Sequence, residues 1–244
     1  MITSVENPRV KEVMRLRRSR ERRRTGLFVA EGPREVGRAT LAGLRIVATY
    51  FAPELIPEWP GGGEEVSAAV LRRMAYRAEP EGVLAVVEAP RRELPRGGTL
   101  YLVAVGIEKP GNLGAMARSA DAAGADALLV AEAEADPWNP NAIRASTGAT
   151  FTLPVVEATH ADVRSLGVRL AAAVVDSAAT PHTDADLTAP TAIAVGAEDE
   201  GLPPAWRDAA DARLRIPLHA GTADSLNAAT AAAILLFEAV RQRG

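Results

Sequence analysis

The stretch "YLVAVGIEKPGNLGAMARSADAAGADALLV", residues 101–130, contains the pattern that decides the fold. An apolar run reaches a Gly-rich turn, and an Ala-rich stretch then leads to a second apolar run. Two apolar runs separated by a helical stretch indicate strand, helix and strand, the unit from which parallel sheets are built. We therefore predict an α/β protein with a mostly parallel sheet that is covered by helices on both faces.

The same alternation continues to the end of the chain. Further strands are predicted in "RLAAAVVD", "TAIAVGAE" and "ARLRIPL", and a long final helix in "SLNAATAAAILLFEAVRQR". That helix is apolar from Ala228 to Phe237, so we expect it to be buried all round, with Ser225 or Asp224 as its N-cap. The preceding segments predict a small N-terminal α/β domain over residues 1–93, a linker over 94–100 and a larger domain over 101–244.

Composition excludes several classes of site. The chain of 244 residues has no Cys, which excludes disulfides, zinc thiolates and a cysteine nucleophile. It shows no run of 18 apolar residues and no signal peptide, so we expect no membrane contact and a cytoplasmic location. Only Lys11 and Lys109 among its 28 basic residues are lysines.

The charge is distributed unevenly along the chain. The net charge is −3, yet residues 1–24 carry +6 and the remainder carries −9. Basic side chains surround most of a helix in this segment, which leaves little to bury apart from Val10, Val13, Met14 and Leu16. One interpretation is a solvated basic helix; the other is an arm that contacts the phosphates of a nucleic acid.

The Gly-rich turn at residues 110–114 fits neither common phosphate-binding pattern. A dinucleotide fold needs G-x-G-x-x-G and a Walker loop needs G-x4-G-K-[ST], and neither is present. The turn instead offers Asn112, followed six residues later by Arg118. The Asn alone is also explained as a helix cap. An Arg on an Ala-rich helix that we expect to be buried needs an acidic partner or an anionic ligand, and a helix beginning near Asn112 would point it toward the same end as the turn.

Two later stretches end strands in the same manner. In "TAIAVGAEDEGLPPAW", residues 191–206, a strand ends at Gly196 and Glu198 follows two residues later. In "IPLHAGTADSLNAATAAAILLFEA", residues 216–239, a strand is followed by a loop and then by Asn227 in the first turn of a helix. The carboxyl ends of parallel strands are where open α/β sheets bind ligands. The alternative for Glu198 is an ordinary turn with a solvated acidic cluster.

Together these stretches resemble one family. The segments "KPGNLGAMARSA", "VGAEDEGLP" and "IPL…SLNAATAAAILLFEA" are similar, in order and spacing, to the three motifs of the SpoU (TrmH-type) RNA ribose methyltransferases of the SPOUT superfamily. The segment "DPWNPNAIRASTGATFTLPV" is similar as well. The resemblance covers residues 101–244 and extends more loosely to residues 1–90, which resemble a substrate-binding domain.

The resemblance implies a fold and a chemistry. It implies a sheet whose C-terminal segment forms a trefoil knot, a homodimer, and S-adenosylmethionine as cofactor, with no metal. It implies a ribose 2′-hydroxyl of RNA as the methyl acceptor, with 23S ribosomal RNA favoured over transfer RNA. A non-catalytic RNA-binding member of the fold, or a nicotinamide-dependent enzyme, remain as alternatives.

The resemblance also assigns site residues. The residues expected in catalysis are Asn112, Arg118, Glu198, Ser225 and Asn227. Those expected to contact the cofactor are Gly196, Ile216, Leu218 and Leu226. Those expected to contact RNA are Arg22, Arg23, Arg24 and Arg144. Because a guanidinium does not readily lose its proton, the resemblance leaves open whether Arg118 acts as a base or binds a phosphate and the forming oxyanion.

Overall fold

The computed structural model describes residues 1–132, 135–219 and 224–244. Its elements, in chain order, are α1 (Pro8–Arg15), α2 (Ser19–Thr25), β1 (Leu27–Glu31), α3 (Pro33–Leu41), β2 (Ile46–Phe51), β3 (Glu64–Glu65), α4 (Ala68–Met74), β4 (Val83–Glu88), β5 (Leu100–Val105), α5 (Pro110–Ala122), β6 (Ala127–Ala131), α6 (Pro140–Ser146), α7 (Ala149–Thr152), β7 (Val155–Glu157), α8 (His160–Arg164), β8 (Arg169–Ala173), β9 (Thr180–Pro181), a 3₁₀ turn (His182–Asp184), β10 (Thr191–Val195), α9 (Pro204–Asp208), β11 (Ala212–Arg215) and α10 (Ala228–Arg243).

The chain folds as two compact units. The first comprises Met1–Arg91 together with Trp138–Phe151, and the second comprises Arg92–Pro137 together with Thr152–Gly244. The contacts thus group residues 138–151, which the sequence assigned to the larger domain, with the N-terminal unit. The reason is aromatic packing, because the Phe28 ring stacks on the rings of Trp138 and Phe151, with centroids 4.8 and 5.7 Å away.

The N-terminal unit is built on a four-stranded sheet in the order β1-β4-β2-β3. The strand β4 pairs antiparallel with both β1 and β2, and β2 pairs parallel with the short β3. The helices α1 and α4 pack on one cluster of buried apolar side chains, which includes Val10, Val13 and Leu16. From the sequence we expect four apolar side chains of the basic segment to be buried, and these are three of them; the fourth, Met14, is partly buried against the same cluster.

The basic segment forms two helices, α1 and α2, and one of its arginines faces inward. Arg22 is 3% exposed, and its Nη1 donates to the backbone carbonyls of Leu16 at 2.7 Å and Arg17 at 2.9 Å. The expectation that Arg22 contacts RNA is therefore wrong for this conformation, because its guanidinium satisfies the carbonyls that follow α1. Arg23 and Arg24 are exposed, as the expectation requires of them.

The C-terminal unit contains a seven-stranded sheet in the order β7-β6-β5-β10-β8-β11-β9. Each pairing between these strands is parallel. Alternate side chains of β5 enter two separate apolar clusters, Leu102 in the one that contains α5 and α10, and Val103 in the one that contains Trp206. Both faces of the sheet are therefore covered, and the predicted fold class is confirmed.

The final helix differs from its prediction in two details. Its N-cap is Asn227, whose side chain accepts from the backbone N–H of Ala229 at 3.0 Å and of Thr230 at 3.3 Å, so neither Ser225 nor Asp224 caps it. The helix is not buried all round, because Phe237 is 48% exposed. No helix in the described parts of the chain is long and apolar enough to cross a membrane. Part of the loop expected to form the trefoil knot, residues 220–223, lies outside the described residues, so the threading stays a prediction.

Candidate functional site

The order of the strands places two of the predicted site segments side by side. The strand β5 pairs with β6 on one side and with β10 on the other, so the chain reverses its direction of travel across the sheet at the β5–β10 boundary. Asn112 lies in the first turn of the helix that follows β5, and Glu198 follows β10. Such a switch point is where open parallel sheets hold ligands, beyond the carboxyl ends of the strands.

Three predicted catalytic residues form one hydrogen-bonded cluster. Asn112 donates from Nδ2 to Oε1 of Glu198 at 3.0 Å, and Asn227 donates from Nδ2 to Oδ1 of Asn112 at 3.1 Å. The Asn227 amide also donates to Glu198 Oε1. Because Asn227 Oδ1 caps α10, the helix fixes the orientation of this amide. Glu198 and Asn227, which lie 86 and 115 positions after Asn112 in the sequence, thus meet it at one point in the fold.

A residue that the sequence analysis did not assign completes this cluster. Lys109, the N-cap residue of α5, places its Nζ 2.5 Å from Oε2 of Glu198. The Lys109 ammonium, and after it the Asn112 amide, hold the pKa of the Glu198 carboxyl below its ordinary value. The signal in the sequence was available, because Lys109 is one of two lysines in the chain and directly precedes the Gly-rich turn.

Gly196 is required by the tight turn that carries Glu198. The backbone folds back over five residues, so that the N–H of Gly201 donates to the carbonyl of Ala197 at 3.0 Å. A Cβ atom on Gly196 would approach the backbone of Gly201 and Leu202 more closely than 3.0 Å, a separation that real Cβ atoms essentially never show. Gly201 itself has a φ of +66°, in the left-handed region that favours glycine.

A cleft of about 680 Å³ opens at the carboxyl ends of β8, β10 and β11. Its lining includes all four residues expected to contact the cofactor, which are Gly196, Ile216, Leu218 and Leu226, and it also includes Glu198 and Ser225. A volume of several hundred Å³ is typical of sites for small molecules and cofactors. The backbone of the turn after Gly196 forms one wall, so a ligand there meets N–H and carbonyl groups that suit a nucleoside-sized molecule.

Arg118 lies on the exposed face of α5. The helix α5 begins at Pro110, so Arg118 lies in its third turn, and six residues of α-helix separate it from Asn112 by about 9 Å along the axis and about 120° around it. Its side chain is exposed and has no hydrogen-bond or ion-pair partner within the described residues. The expectation that Arg118 is buried is wrong for the single chain. Its role in catalysis stays a prediction.

The residues expected to contact RNA belong to the N-terminal unit. Arg23 is exposed, and Arg24 is exposed but paired with Glu21 at 2.9 Å. Arg144, on α6, is exposed and donates to Oδ1 of Asn141 at 2.9 Å. No group of three or more His, Asp or Glu side chains in the described residues is arranged to hold a metal ion.

Comparison with known protein families gives a consistent result. The family model described as the SpoU rRNA Methylase family matches residues 99–237. A second model, described as an MRM3-like substrate binding domain, matches residues 7–85. The two matches fall on the segments that form the larger sheet and the smaller sheet.

Individual relatives extend this similarity over nearly the whole chain. The chain is 38% identical over 229 residues to the 23S rRNA (uridine(2479)-2′-O)-methyltransferase of Streptomyces viridochromogenes, covering 87% of this chain and 75% of that protein. A crystal structure of an RNA 2′-O ribose methyltransferase is 42% identical, with a TM-score of 0.86 over 99% of this chain and 98% of that one.

An rRNA methyltransferase from Sinorhizobium meliloti, crystallised with AdoMet bound, is 32% identical, with a TM-score of 0.87 over 98% of this chain and 97% of that one. The family match spans more than half of the chain, and it contains the clustered Asn112, Glu198 and Asn227 and most of the cleft beside them. The chain belongs to the SpoU rRNA methylase family.

Proposed function

We propose that the protein transfers a methyl group from S-adenosylmethionine to a ribose 2′-hydroxyl in 23S ribosomal RNA. The observation that carries this proposal is the cluster of Asn112, Glu198, Asn227 and Lys109 beside a cofactor-sized cleft. Two relatives, from Streptomyces viridochromogenes and Bacillus subtilis, are 23S rRNA 2′-O-methyltransferases, which favours ribosomal RNA over transfer RNA. The proposed place of action is the cytoplasm, where that RNA is found.

The cleft residues would hold the cofactor by shape and backbone groups. Bound there, S-adenosylmethionine supplies a sulfonium-linked methyl group with its own leaving group, so the displacement needs no metal. Ile216 and Leu226 offer apolar walls, and the turn after Gly196 offers backbone donors and acceptors. The crystallised relative with bound AdoMet has the same fold as this chain, which supports the assignment of the cleft.

Within the described part of the chain, the polar cluster leaves an amide N–H of Asn112 free for the ribose. Asn227 uses both N–H groups of its amide, one on Asn112 and one on Glu198. Asn112 uses one of its two N–H groups on Glu198, so its second remains available. In the proposed mechanism this N–H donates to a hydroxyl of the target ribose, and the negative charge of Glu198, neutralised in part by Lys109, keeps the Asn112 amide in that orientation.

Arg118 acts in this mechanism from the second subunit of a homodimer. Within one chain its exposed guanidinium has no partner in the described residues. Across a dimer it would reach the site of the partner subunit, where a planar cation can hold the RNA phosphate next to the target and stabilise the developing 2′-oxyanion, while that phosphate takes the proton of the 2′-hydroxyl.

Methyl transfer to RNA tests the proposal. Purified protein is incubated with labelled S-adenosylmethionine and either ribosomal or transfer RNA, and incorporation is measured for the natural chain and for Asn112→Ala. We expect incorporation into ribosomal RNA by the natural chain and its loss in the variant. Calorimetry with S-adenosylmethionine and with NAD separates the remaining alternatives. Cofactor binding without any transfer would indicate a non-catalytic RNA-binding protein, and binding of NAD would contradict the assignment of the cleft.

A further inference from the structure

The N-terminal unit contains a second, much smaller pocket. It lies among the end of β1, the start of α3, the segment after α4, and α6, and it has a volume of about 10 Å³. Its polar lining is formed by Glu31, Glu35, Tyr76, Arg77 and Arg144. A volume of this size admits one water-sized group and not a whole ring. The pocket is therefore suited to a single amino or hydroxyl group of a larger ligand that remains outside.

The two buried carboxylates of this pocket differ in how their hydrogen bonds are satisfied. Glu31 accepts from the backbone N–H of Tyr76 and, at 3.1 Å, from that of Arg77. Glu35 is 2% exposed, and its Oε1 accepts from Arg34 at 2.7 Å. Its Oε2 is buried and accepts no hydrogen bond from any of the described residues, although the Nη2 of Arg77 lies 3.6 Å away, within ion-pair range. Glu35 thus presents an open acceptor to the pocket, an arrangement that costs about 1–3 kcal/mol if nothing fills it.

The mouth of the pocket has the groups that bind single-stranded RNA. Tyr76 is 41% exposed; its backbone N–H donates to Glu31, and its ring hydroxyl accepts from the side-chain amide of Asn141 at 3.4 Å. Arg144 stands beside it, exposed and bonded to Asn141. A fixed aromatic face next to a cation is the arrangement on which unpaired bases stack while their phosphates are neutralised.

We propose that this pocket recognises one unpaired RNA nucleotide by its exocyclic amino group. The base stacks on Tyr76, the amino group enters the pocket and donates to Oε2 of Glu35, and the adjacent phosphate lies against Arg144. A carboxylate only accepts hydrogen bonds, so it favours the N4 amino group of cytosine and disfavours the O4 carbonyl that uracil presents at the same position. The inference rests on the proposed function in one respect, that the ligand of this unit is RNA.

The test compares two oligonucleotides that differ at this position. Binding of fluorescein-labelled hexacytidylate and hexauridylate to the full-length protein is measured by fluorescence anisotropy at one salt concentration. We expect the natural chain to bind hexacytidylate at least about tenfold more tightly, because uracil leaves the Glu35 acceptor unsatisfied. Glu35→Gln supplies an N–H that uracil can accept, so the preference should shrink to within about twofold.

The matched control is Glu88→Gln, which removes the same charge from an exposed, ion-paired carboxylate of the same unit. It should keep the full preference. If Glu35→Gln does not fold, the variants Tyr76→Ala and Tyr76→Phe decide. The pocket is supported if Tyr76→Ala loses affinity for both oligonucleotides and Tyr76→Phe retains it. Natural affinity in Tyr76→Ala overturns the proposal.

Equal binding of the two oligonucleotides by the natural chain, or a preference unchanged by Glu35→Gln, also overturns the proposal, since the pocket would then hold a water molecule and no base. Methyl transfer is scored separately with ribosomal RNA. Transfer without an oligonucleotide preference removes the pocket and leaves the enzyme, whereas a preference without transfer removes the proposed function and leaves the pocket.

Discussion

Gly196→Ala should damage the cofactor cleft through a single added methyl group. Its Cβ would come within 3.0 Å of the Gly201 and Leu202 backbone, and backbone atoms cannot rotate away as a side chain can. The Gly201 carbonyl carbon would lie only 2.1 Å from that Cβ. To reach the roughly 3.5 Å at which carbon atoms attract, the turn must retreat by about 1.4 Å. Overpacking of this kind costs about 1–3 kcal/mol. The displaced turn includes Glu198 and one wall of the cleft.

Calorimetry measures the consequence. If the turn relaxes outward in the free protein and must return when the cofactor binds, the affinity for S-adenosylmethionine falls by about five- to 150-fold. Gly37→Ala is the control, because a Cβ at this position on α3 meets no atom within 4 Å, and it should leave affinity unchanged. Natural affinity together with an unchanged melting temperature in Gly196→Ala would refute the claim that the turn forms part of the cofactor site.

Four further outcomes are expected. Asn227→Ala removes both a helix cap and a member of the polar cluster, so the free energy of unfolding should fall by about 1 kcal/mol and methyl transfer should be lost; a variant with natural activity would contradict the cluster's role. Arg23→Ala should reduce the salt dependence of RNA binding by about one log–log unit. Arg22→Ala should instead lower the melting temperature, because it leaves two backbone carbonyls without a donor. If both variants weakened RNA binding equally and neither changed the melting temperature, the inward position of Arg22 would be contradicted. Arg118→Ala should abolish transfer and keep cofactor binding, and residual activity in Arg118→Lys would distinguish a simple charge from a requirement for the planar fork. The Arg241 guanidinium, one turn after Glu238, lowers the pKa of the Glu238 carboxyl from 4.5 to about 2. The stabilisation from this pair is therefore complete above pH 4.5 and is lost as the pH falls toward 2. The denaturant midpoint of Glu238→Gln should depend less on pH across that window than the midpoint of the natural chain.

The parts of the fold that the sequence predicted are those with long, regular patterns. The strand β5 and the helix α5 are each long enough for their periodicity to be read. The strands β3 and β9 have two residues each and β7 has three, too few to show any alternation, so they depend on neighbours that only the folded chain supplies. The assignment of residues 138–151 to the N-terminal unit likewise depends on contacts between rings far apart in sequence.

The site shows the same division. The resemblance to a family brought Asn112, Glu198 and Asn227 together in advance, because motif order carries that information. Motif order does not show which charged side chain of a basic segment is buried. Arg22 and Arg23 have the same composition around them, yet only Arg22 of the two is buried, where it donates to the carbonyls of Leu16 and Arg17 that follow α1. Lys109 was missed because a lysine beside a turn is ordinarily solvated, and its partner Glu198 lies 89 positions away.

The position of the transferred methyl group tests the central claim most directly. Ribosomal RNA is methylated by the natural protein with labelled S-adenosylmethionine and then hydrolysed completely with alkali. Cleavage of the RNA chain requires a free 2′-hydroxyl, so a ribose methyl protects the following phosphodiester and the label is recovered in alkali-stable dinucleotides. We predict this result for the natural chain and no incorporation for Arg118→Ala. Label recovered in mononucleotides would place the methyl group on a base and contradict ribose 2′-O-methylation by this protein.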